Sequence, residues 1–535
     1  MPKRLLLKEL SRYNIGTWAD VLYRNALLHP DQEAFIYKDK RITFSEFNAR
    51  VNSLIHALQA MGVKKGEVIG ILSWNCLEYA DVYGAAMKGG FIASPFNPRL
   101  GAKELDYIIN YSEANTLFVG PELAEIVNLL RPRLSKVKNF ISFEGKTPGM
   151  ESHEQLLESY PKEEPDVQLE ENDPLIIVYT SGTTGVPRGA LYTHSLFLDN
   201  AKNLIIEMGL QPGDRHIQIM PFFHIGGINH FRAFLFVGAS NFIMPQRSFD
   251  AAATLQTIQD EQATDIDIVP THLVAMLAVP DLKKYDLSSL KRMWYAASPM
   301  PVEVLRKGME TLGPVFAQGY GQTETGPDIT GLAREDSAVL DRPPEEQKIL
   351  ASAGRPSTGV HVRIVDEKNN DVSPGEVGEI IVQSKHIMIE YWHKPEDTRE
   401  TLVNGWIHTG DMGYYDEKGY VYIVDRKKDL IVSGGENIYP REVEEVLYRH
   451  PAVLEAAVIG IPDPYWIEKV HAVVTLKKGA SVTGEELIAF CKKNLAGYKA
   501  PKSVELVDAL PKNPAGKILK RELREKYWQG RERRV

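Results

Sequence analysis

Residues 179–189 combine small hydroxyl side chains, glycines and one cation, in the order Tyr-Thr-Ser-Gly-Thr-Thr-Gly-Val-Pro-Arg-Gly. Hydroxyl and backbone N–H groups can donate hydrogen bonds to phosphate oxygens, and glycines allow a ligand to approach the backbone closely. Arg188 adds a permanent positive charge. An apolar run at 175–178 precedes the stretch and is typical of a buried strand in a parallel sheet. The pattern predicts a loop that holds a polyphosphate.

This stretch is not a Walker A loop. That motif requires Gly-Lys followed by Ser or Thr at the start of a helix, whereas Gly189 is followed by Ala190 and Leu191. For the stretch alone, a Ser/Thr/Gly-rich surface turn between a strand and a helix stays open as well. The rest of the chain has to decide between the two interpretations.

Other chemically capable residues follow apolar runs, as expected at the carboxyl ends of sheet strands, where α/β sheets bind ligands. Tyr320 offers a flat face for a base, and the carboxylate of Glu324 suits a hard cation such as Mg²⁺. His224 stands in an apolar loop with two glycines, where it either lines a pocket or is a hydrogen-bonded core histidine. Each pattern alone also fits an ordinary structural role.

Charged residues also end two later strands. Asp411 closes the run that begins at Trp406, and Arg426 closes the run that begins at Tyr420. Charges at the end of a buried strand either meet each other or a ligand, or they form a surface salt-bridge turn of little energetic value. Lys517 follows a glycine in a Pro/Gly-rich loop, where it is either a mobile cation or a solvated lysine.

Composition limits the class of protein. A chain of 535 residues is too long for one compact core, so two or more domains are expected. The net charge of -9 argues against a broad basic surface for nucleic acid. Cys76 and Cys491 are the only cysteines and lie far apart, which disfavours a disulfide framework and a Cys-based zinc site. With no apolar run of transmembrane or signal-peptide length, the sequence predicts a cytoplasmic protein without a membrane span. A homodimer stays open.

Strands and helices alternate through most of the chain, which predicts parallel pairing and an α/β layer structure. The apolar spacing predicts a helix over 17–28 and a second helix, with Ser45 as its N-cap, that runs to Met61. The charged segment 147–173 is expected to be a solvated connection. From Pro440 onward, two strands near 453–459 and 470–476 and helices on either side predict a small α+β domain.

Together and in this order, the motifs resemble those of AMP-forming acyl-CoA synthetases. These enzymes belong to the adenylate-forming superfamily, with acyl- and aryl-CoA ligases, luciferases and peptide-synthetase adenylation domains. The resemblance extends from the Asn97–Leu100 region to Lys517. It implies an α/β fold with a large N-terminal domain of layered α/β subdomains, residues 1–427, which contains the ATP and acyl pockets. It also implies a small mobile α+β C-terminal domain, residues 428–535, with its hinge at Lys428.

The resemblance also implies a two-step reaction. A carboxylate attacks the α-phosphate of ATP to give an acyl-adenylate and pyrophosphate, and the thiol of CoA then attacks the acyl carbon and releases AMP. Lys517 would reach the substrate carboxylate and the α-phosphate, and Thr323 would touch that phosphate. Glu324 would bind Mg²⁺, with Thr180 as a second ligand. His224 would stand at the mouth of the acyl pocket.

The remaining implied contacts concern the nucleotide and CoA. The phosphate contacts would come from Thr180, Ser181, Gly182, Thr183, Thr184 and Arg188, the base contacts from Ala296, Ala297, Ser298, Gln318, Gly319, Tyr320, Gly321 and Gln322, and the ribose contacts from Asp411 and Arg426. Lys428 would be the hinge, and Ser433, Gly434 and Gly435 would face the pantetheine arm of CoA. The family usually has Lys at the position of Arg188, so the charge is kept while the geometry changes.

The acid is predicted from the implied acyl pocket, which would involve residues 224–229, the strand at Tyr295 and residues 319–327. Gly226, Gly227 and Gly319 are expected to leave room, and the nearby phenylalanines 222, 223, 231 and 234 to make its walls apolar. Arg232 is the nearest cation. These features predict a medium- or long-chain fatty acid, and a cyclic or aromatic acid is the second candidate. Three rival classes of protein stay open, namely a stand-alone enzyme that loads a carrier protein, a luciferase-like oxidase and a non-catalytic binding protein.

Overall fold

The computed structural model describes residues 15–145, 147–180, 187–245, 247–298, 300–427, 429–433, 436–512 and 516–529. Its helices are α1 (Trp18–Leu28), α2 (Phe44–Ala60), α3 (Leu77–Gly89), α4 (Ala102–Ser112), α5 (Ala124–Leu130), α6 (His153–Ser159), α7 (His194–Met208), α8 (Ile225–Val237), α9 (Ala251–Asp260), α10 (Pro270–Leu277), α11 (Val302–Leu312), α12 (Arg334–Ser337), α13 (Pro395–Thr401), α14 (Pro440–Tyr448), α15 (Gly484–Asn494) and α16 (Lys520–Trp528).

The strands alternate with these helices over most of the chain. They are β1 (Glu33–Tyr37), β2 (Lys40–Thr43), β3 (Val68–Leu72), β4 (Ile92–Phe96), β5 (Thr116–Val119), β6 (Asn139–Ser142), β7 (Glu151–Ser152), β8 (Pro174–Thr180), β9 (Arg188–Thr193), β10 (Arg215–Gln218), β11 (Ser240–Ile243), β12 (Asp265–Ile268), β13 (Arg292–Tyr295), β14 (Phe316–Gln322), β15 (Gly326–Leu332), β16 (Arg355–Pro356), β17 (Val360–Val365), β18 (Gly378–Ser384), β19 (Glu390–Tyr391), β20 (Leu402–Val403), β21 (Trp406–Tyr415), β22 (Val421–Arg426), β23 (Ile431–Ser433), β24 (Glu436–Ile438), β25 (Val453–Asp463), β26 (Ile467–Leu476) and β27 (Ser503–Leu506).

Two mostly parallel sheets form the large N-terminal domain. One has the order β19-β9-β8-β4-β3-β5-β6-β7, and the other has the order β16-β15-β14-β13-β12-β10-β11-β1-β2. Every residue of α3 is buried, and helices α1 to α3 share one hydrophobic core with strands of both sheets. A helix that is buried on all sides lies inside a layered core rather than on its surface. The predicted α/β layer structure is confirmed.

A third, antiparallel sheet completes the large domain. It contains β17, β18, β20, β21 and β22, and β21 pairs with β22 through the register Asp411 to Arg426. This sheet therefore carries the two predicted strand-end charges on neighbouring strands.

The small C-terminal domain has a sheet of its own. The order is β24-β23-β26-β25, and β27 pairs with β26. Its core is formed by Ile431, Val443, Val458, Leu487 and neighbouring apolar residues. The α+β character predicted from Pro440 onward is confirmed. The predicted hinge Lys428 and the CoA-facing Gly434 and Gly435 lie outside the described residues, as do Ser181, Gly182, Thr183 and Thr184 of the phosphate loop.

Several local predictions need correction. Thr43, not Ser45, caps α2, because its hydroxyl accepts from Glu46 N at 3.2 Å while Thr43 N donates to the Glu46 carboxylate at 2.9 Å. This reciprocal capping box fixes the start of the helix two residues earlier than predicted. The segment 147–173 includes β7 and α6, where Leu156 and Leu157 are buried. It is therefore only partly a solvated connection.

The candidate phosphate loop also has a different setting from the one considered in the sequence. It joins β8 to β9, and these strands are antiparallel neighbours. The stretch therefore connects two strands rather than a strand and a helix. Within the described ranges, none of the helices combines the length and the apolar character that crossing a bilayer requires.

Candidate active site

The carboxylate of Asp411 is the centre of a polar group at the junction of the second and third sheets. It accepts hydrogen bonds from Tyr320 Oη at 2.8 Å and Gln322 Nε2 at 2.7 Å. Arg426 Nε lies 3.0 Å from its other oxygen. Tyr320 and Gln322 come from β14, and Asp411 and Arg426 come from β21 and β22, so the sheet junction itself assembles the group.

Burial makes the electrostatic interactions of the Asp411 carboxylate stronger than they would be in water. Asp411 is 5% exposed, and its backbone N–H donates to Thr409 Oγ1 at 3.0 Å. Burial raises the pKa of the Tyr320 phenol, so Tyr320 is a neutral donor. Burial is the largest single effect and opposes the charge of Arg426, but the carboxylate of Asp411 and smaller nearby effects together outweigh it and raise the pKa of Arg426. The arrangement holds a buried carboxylate ready to accept from a polar ligand such as a diol.

Glu324 lies in the turn between β14 and β15 and is 8% exposed. Tyr391 Oη donates to its carboxylate at 2.6 Å, and Arg188 Nη2 lies 3.8 Å away. The Arg188 guanidinium also stacks 4.3 Å from the centre of the Tyr391 ring and lies 3.4 Å from Asp397. Glu324 is therefore a buried, oriented carboxylate beside a cation, and a solvated glutamate is excluded.

Thr180 ends β8 directly opposite Arg188, the first residue of β9. Its hydroxyl is buried and has no hydrogen-bond partner within the described ranges. A buried, unpaired hydroxyl at the mouth of the phosphate-loop hairpin is suited to an anionic ligand or to a metal ion. The structure thus brings Thr180, Arg188 and Glu324 together, with Glu324 close enough for its charge to act on Arg426.

The segment that follows β13 forms a second wall. The carboxyl end of β13 is followed directly by Ala296, Ala297 and Ser298. Among these, Ala297 has a positive φ of 70°. A non-glycine residue in the left-handed region costs roughly 1 kcal/mol or more and often marks a functional turn. Gln318 lies on the neighbouring strand β14, opposite Tyr295.

Gly321 is required by the tight β14–β15 hairpin. A Cβ at this position would lie within 3.0 Å of backbone atoms of Gly326 and Pro327. Thr323 follows in the same turn and is 9% exposed, and its carbonyl accepts a hydrogen bond from the Tyr192 hydroxyl. The turn that carries Thr323 and Glu324 is therefore fixed on both sides.

His224 caps helix α8. Its Nδ1 accepts from Gly226 N at 3.2 Å. Burial, and secondly the positive charge of Lys517, lower the pKa of His224 to about 4. The imidazole is therefore neutral around pH 7. The small domain thus places Lys517 close enough for its charge to act on His224, which joins two residues that are 293 positions apart in the sequence.

Residues of the small domain near Lys517 lie against the large domain. A Cβ at Gly516 would lie 2.9 Å from both Val269 and Thr271. Arg441 Nη1 donates to the carbonyl of Ile423 at 2.5 Å, and Lys520 Nζ lies 3.8 Å from Asp425 and 2.8 Å from Glu444. Ser433 is buried on β23 and pairs with Ile467. None of the contacts above involves Ser433.

The room expected beside the glycines of the acyl pocket is not found at Gly227 and Gly319, whereas a Cβ at Gly226 would meet nothing closer than His224 Nδ1 at 3.5 Å. A Cβ at Gly227 would lie within 3.0 Å of the carbonyls of Met220 and Pro221, so this glycine allows close packing of its own loop. A Cβ at Gly319 would lie 2.7 Å from Trp294 Nε1 and closer still to Asp328 Oδ1. The rings of Phe222 and Phe231 meet edge to face within the core, with 5.2 Å between their centres. Protein atoms therefore occupy the space beside Gly227 and Gly319, and the two phenylalanine rings pack within the core.

Asn229 lies in the predicted pocket range 224–229, but sequence reasoning did not single out Trp294 and Asp328, which also occupy this region. They are all buried, as is Arg232. A signal was present, since Asn229, His230 and Arg232 interrupt an otherwise apolar helix and Asp328 interrupts the apolar strand β15. Buried polar residues need partners, so such interruptions mark a site or a structural network.

Comparison with known proteins agrees with this geometry. The family model described as AMP-binding enzyme matches residues 22–392, and the one described as AMP-binding enzyme C-terminal domain matches residues 442–517. Feruloyl-CoA synthase of Amycolatopsis sp is 37% identical over 514 residues, which cover 96% of this chain and 99% of the relative. Fatty acid--[acyl-carrier-protein] ligase ScoC of Streptomyces coeruleorubidus is 34% identical, with 95% of each chain covered.

A solved structure extends the likeness to three dimensions. The anthranilate CoA ligase AuaEII, in complex with anthranoyl-AMP, superposes with a TM-score of 0.88 at 29% identity, covering 96% of this chain and 97% of that chain. The chain belongs to the AMP-binding enzyme family. It is an acid–thiol ligase of the AMP-forming type, which acts through an acyl-adenylate.

Proposed function

We propose that this enzyme activates a compact cyclic or aromatic carboxylic acid with ATP and transfers the acyl group to CoA. The observation that carries the reaction is the approach of Lys517 to His224 across the domain boundary. It brings a cation to the mouth of the implied acyl pocket, while the Asp411 group and the Thr180–Arg188–Glu324 cluster lie at the nucleotide side. Positioned cations at developing negative charge supply a large share of catalysis in such reactions.

The role of each residue in this proposal follows from its contacts. Asp411, held by Tyr320 and Gln322, accepts from the ribose hydroxyls, and Arg426 keeps its charge balanced. Tyr320 and the wall that includes Ala297 enclose the base. Thr180, Arg188 and Thr323 donate to phosphates, together with residues 181–184. Lys517 holds the substrate carboxylate against the α-phosphate, and neutral His224 shapes the mouth of the acyl pocket.

The residues present suit a magnesium ion. The Glu324 carboxylate is oriented by Tyr391, and the Thr180 hydroxyl is buried without a partner among the described residues. Within those residues, no group of three or more His, Cys, Asp or Glu side chains is placed to hold a metal ion by itself, which fits Mg²⁺, since it is commonly held by one or two carboxylates and substrate phosphates. Glu324 and Thr180 would hold the ion. It would neutralise phosphate charge when bound.

The second half-reaction in this proposal uses the small domain differently. We propose the domain boundary at Lys428, with residues 1–427 and 428–535 as the two units. Rotation at that position would withdraw Lys517 and present Ser433, Gly434 and Gly435 to the pantetheine arm. The contacts that Arg441 and Lys520 make across the boundary are polar, as is common between domains that move relative to each other.

The acid class is proposed from the space available. Trp294 and Asp328 fill the region over Gly319. From His224 to Asn229, helix α8 advances about 7.5 Å, the span of a ring with its substituents. A compact acid fits this distance better than the medium- or long-chain fatty acid predicted from the glycines. Feruloyl-CoA synthase and the anthranilate ligase, both similar to this chain, are named for aromatic acids.

We also propose a reducing, cytoplasmic location. Cys76 and Cys491 are both buried and neither forms a disulfide, which fits a compartment that keeps thiols reduced.

A product assay tests the proposed function. The enzyme is incubated with ATP, Mg²⁺, CoA and acids from acetate to palmitate, including benzoate, cinnamate and cyclohexanecarboxylate, and AMP, pyrophosphate and thioester are followed together. AMP in step with an aromatic or cyclic thioester is the expected result. Highest turnover with palmitate would overturn the compact acid. AMP without thioester would overturn CoA as the acceptor in favour of a carrier protein, and absence of pyrophosphate with every acid would overturn the proposal.

A further inference from the structure

Buried polar atoms without partners gather at the inner end of the implied acyl pocket. Within the described ranges, no hydrogen bond is made by Trp294 Nε1, Arg232 Nε, Asn200 Nδ2 or His230 Nε2. Each of these side chains is at most 4% exposed. An unpaired buried donor costs about 1–3 kcal/mol, so several in one place indicate a region adapted to a polar ligand.

The donor of Trp294 and an acceptor of Asp328 face the same point. A Cβ placed on Gly319 would touch both Trp294 Nε1 and Asp328 Oδ1. The indole N–H lies close enough to favour the ionised form of Asp328, but no hydrogen bond of good geometry joins the two groups. A donor and an acceptor therefore stand side by side without satisfying each other.

The rest of the network fixes Asp328 and balances its charge. Asn229 Nδ2 donates to Asp328 Oδ2, and Arg232 Nη2 donates to Asn229 Oδ1 at 2.5 Å. The Arg232 guanidinium lies 3.8 Å from the centre of the Phe197 ring. Burial raises the pKa of Asp328 to about 6, against the effects of Asn229 and of the Arg232 charge. At neutral pH Asp328 is thus mostly a carboxylate, with Oδ2 engaged and Oδ1 turned to Gly319.

We propose that Trp294 and Asp328 form a selectivity site for a hydroxyl group at the end of the acid distant from its carboxylate. The inference rests on the proposed function, since it concerns the acid that is adenylated. A hydroxyl accepts from the Trp294 indole N–H and donates to Asp328, which satisfies both groups at once. An alkyl end or an unsubstituted ring leaves both unpaired. The substrate class is a hydroxylated compact acid, such as a hydroxyaryl acid.

Pairs of acids that differ by one group test this on the unmodified enzyme. Pyrophosphate release is measured with 4-hydroxycinnamate, cinnamate and 4-methoxycinnamate, and with the corresponding benzoates. A methoxy group can accept but cannot donate. A site built for a hydroxyl should favour the hydroxylated member by about 10- to 100-fold in kcat/KM, because the analogues leave buried groups unpaired. Equal kcat/KM within each pair, or preference for the unsubstituted or methoxy acid, would overturn the inference.

The Trp294→Phe variant then tests whether the indole N–H causes the selectivity. The variant keeps an aromatic ring and should bring kcat/KM for the hydroxylated acid towards that of the unsubstituted one, while the latter changes about 3-fold or less. Trp18→Phe is the matched control, since Trp18 Nε1 is also buried without a partner among the described residues. An unchanged ratio in a folded Trp294→Phe variant would overturn the assignment. Absence of pyrophosphate with every acid is a separate outcome, which contradicts the proposed function itself.

Discussion

The proposed nucleotide side and the inner acyl end of this enzyme differ in how completely their buried polar groups are hydrogen-bonded. At the nucleotide side, Asp411 is bonded by Tyr320 and Gln322 and paired with Arg426. At the acyl end, Trp294 Nε1 makes no hydrogen bond of good geometry within the described ranges, and Asp328 is held at one oxygen by Asn229. The carboxylates Asp411 and Asp328 are both buried, so the difference between them lies in hydrogen bonding and not in exposure.

On the nucleotide side the protein itself fixes the groups that bind the ligand. At the acyl end the hydrogen bonding is completed only by the substrate. The Asp411 group is fixed by strands from two sheets, so its geometry is independent of the acid. The Trp294 donor becomes satisfied only when an acid supplies a suitable group, so its energy depends on which acid is present. Substitutions on the two sides should therefore change different quantities, namely overall turnover on one side and discrimination between acids on the other.

The largest effect is expected for Lys517→Ala. Loss of this cation removes charge stabilisation at the α-phosphate, so pyrophosphate release should fall about 100-fold or more. Thioester formation from a preformed acyl-adenylate should be largely retained, because that step does not use Lys517 in the proposed mechanism. Both half-reactions are measured separately, by pyrophosphate release and by thiol consumption. Lys512→Ala is the control, since Lys512 pairs with Glu455 at 2.7 Å on the same domain. Equal loss of both half-reactions would contradict the role.

A smaller but still general loss is expected for Asp411→Asn. Three groups lose their charged acceptor, and Arg426 is left without its carboxylate, so kcat/KM for ATP should fall about 10- to 100-fold. The ratio of kcat/KM between two acids should stay unchanged. Asp371→Asn removes a carboxylate that pairs with Arg363 at 2.6 Å on the exposed surface of the same sheet, and should have little effect. A changed preference between acids in Asp411→Asn would break the separation of the two regions.

Discrimination alone should change in Gly319→Ala. The new Cβ would press on both Trp294 Nε1 and Asp328 Oδ1, which are too buried to move freely. We expect about a 10-fold loss of kcat/KM for the best acid, with KM for ATP within about 2-fold of the unmodified enzyme. Gly331→Ala is the matched control on the adjacent strand, since its Cβ would meet nothing closer than Gln318 O at 3.5 Å. Equal effects of the two alanines would contradict a special role for the space over Gly319.

The residues of the proposed nucleotide side could be named from the sequence because they lie in compact motifs at strand ends, and their roles stay a prediction. Glu324, Asp411, Arg426 and Lys517 each follow a recognisable run, and the order of the runs identified the family. Strand periodicity also predicted most elements of the α/β layers. The start of α2 was placed wrongly because the reciprocal capping box of Thr43 and Glu46 outweighs the single hydroxyl of Ser45.

The acyl end could not be predicted in the same way because its residues are dispersed over α8, β13 and β15. The sequence shows Gly319 as a position without a side chain, and only the fold shows that Trp294 and Asp328 occupy the space beside it. Gly227 is a similar case, since the chain itself fills the space beside it. A glycine therefore indicates close approach, but the sequence does not say whether a ligand or the protein is approaching.

Arg188→Lys should have a modest effect at the nucleotide side. Lysine keeps the charge near Glu324 but loses the planar stacking on Tyr391, which is worth about 0.5–1 kcal/mol. We expect KM for ATP to rise about 2- to 5-fold with the preference between acids unchanged. Steady-state kinetics at varied ATP with two acids measures both quantities. A fall of more than about 30-fold in kcat/KM, well above the stacking energy, would show that the guanidinium has a specific part in phosphate binding.

The smallest effect is expected for the pH dependence of His224→Asn. Burial and the charge of Lys517 lower the pKa of His224 to about 4, so the imidazole is neutral from about pH 5 upward and no charge is lost with it there. Asparagine keeps an acceptor for Gly226 N at the start of α8. The normalised pH profile of pyrophosphate release should therefore be the same in both proteins between pH 5.5 and about 8.

The same pKa predicts a difference in stability below that range. The unfolded chain binds a proton at the ordinary histidine pKa of 6.5, while the folded protein does so only near 4. The contribution of neutral His224 to the free energy of unfolding is therefore fully present above pH 6.5 and is lost as the pH falls towards 4. Urea unfolding should show the unmodified protein losing roughly 1 kcal/mol per pH unit relative to His224→Asn in that window. A shift of the activity profile near pH 6.5 with no change in relative stability would instead mean that His224 titrates normally, far from Lys517.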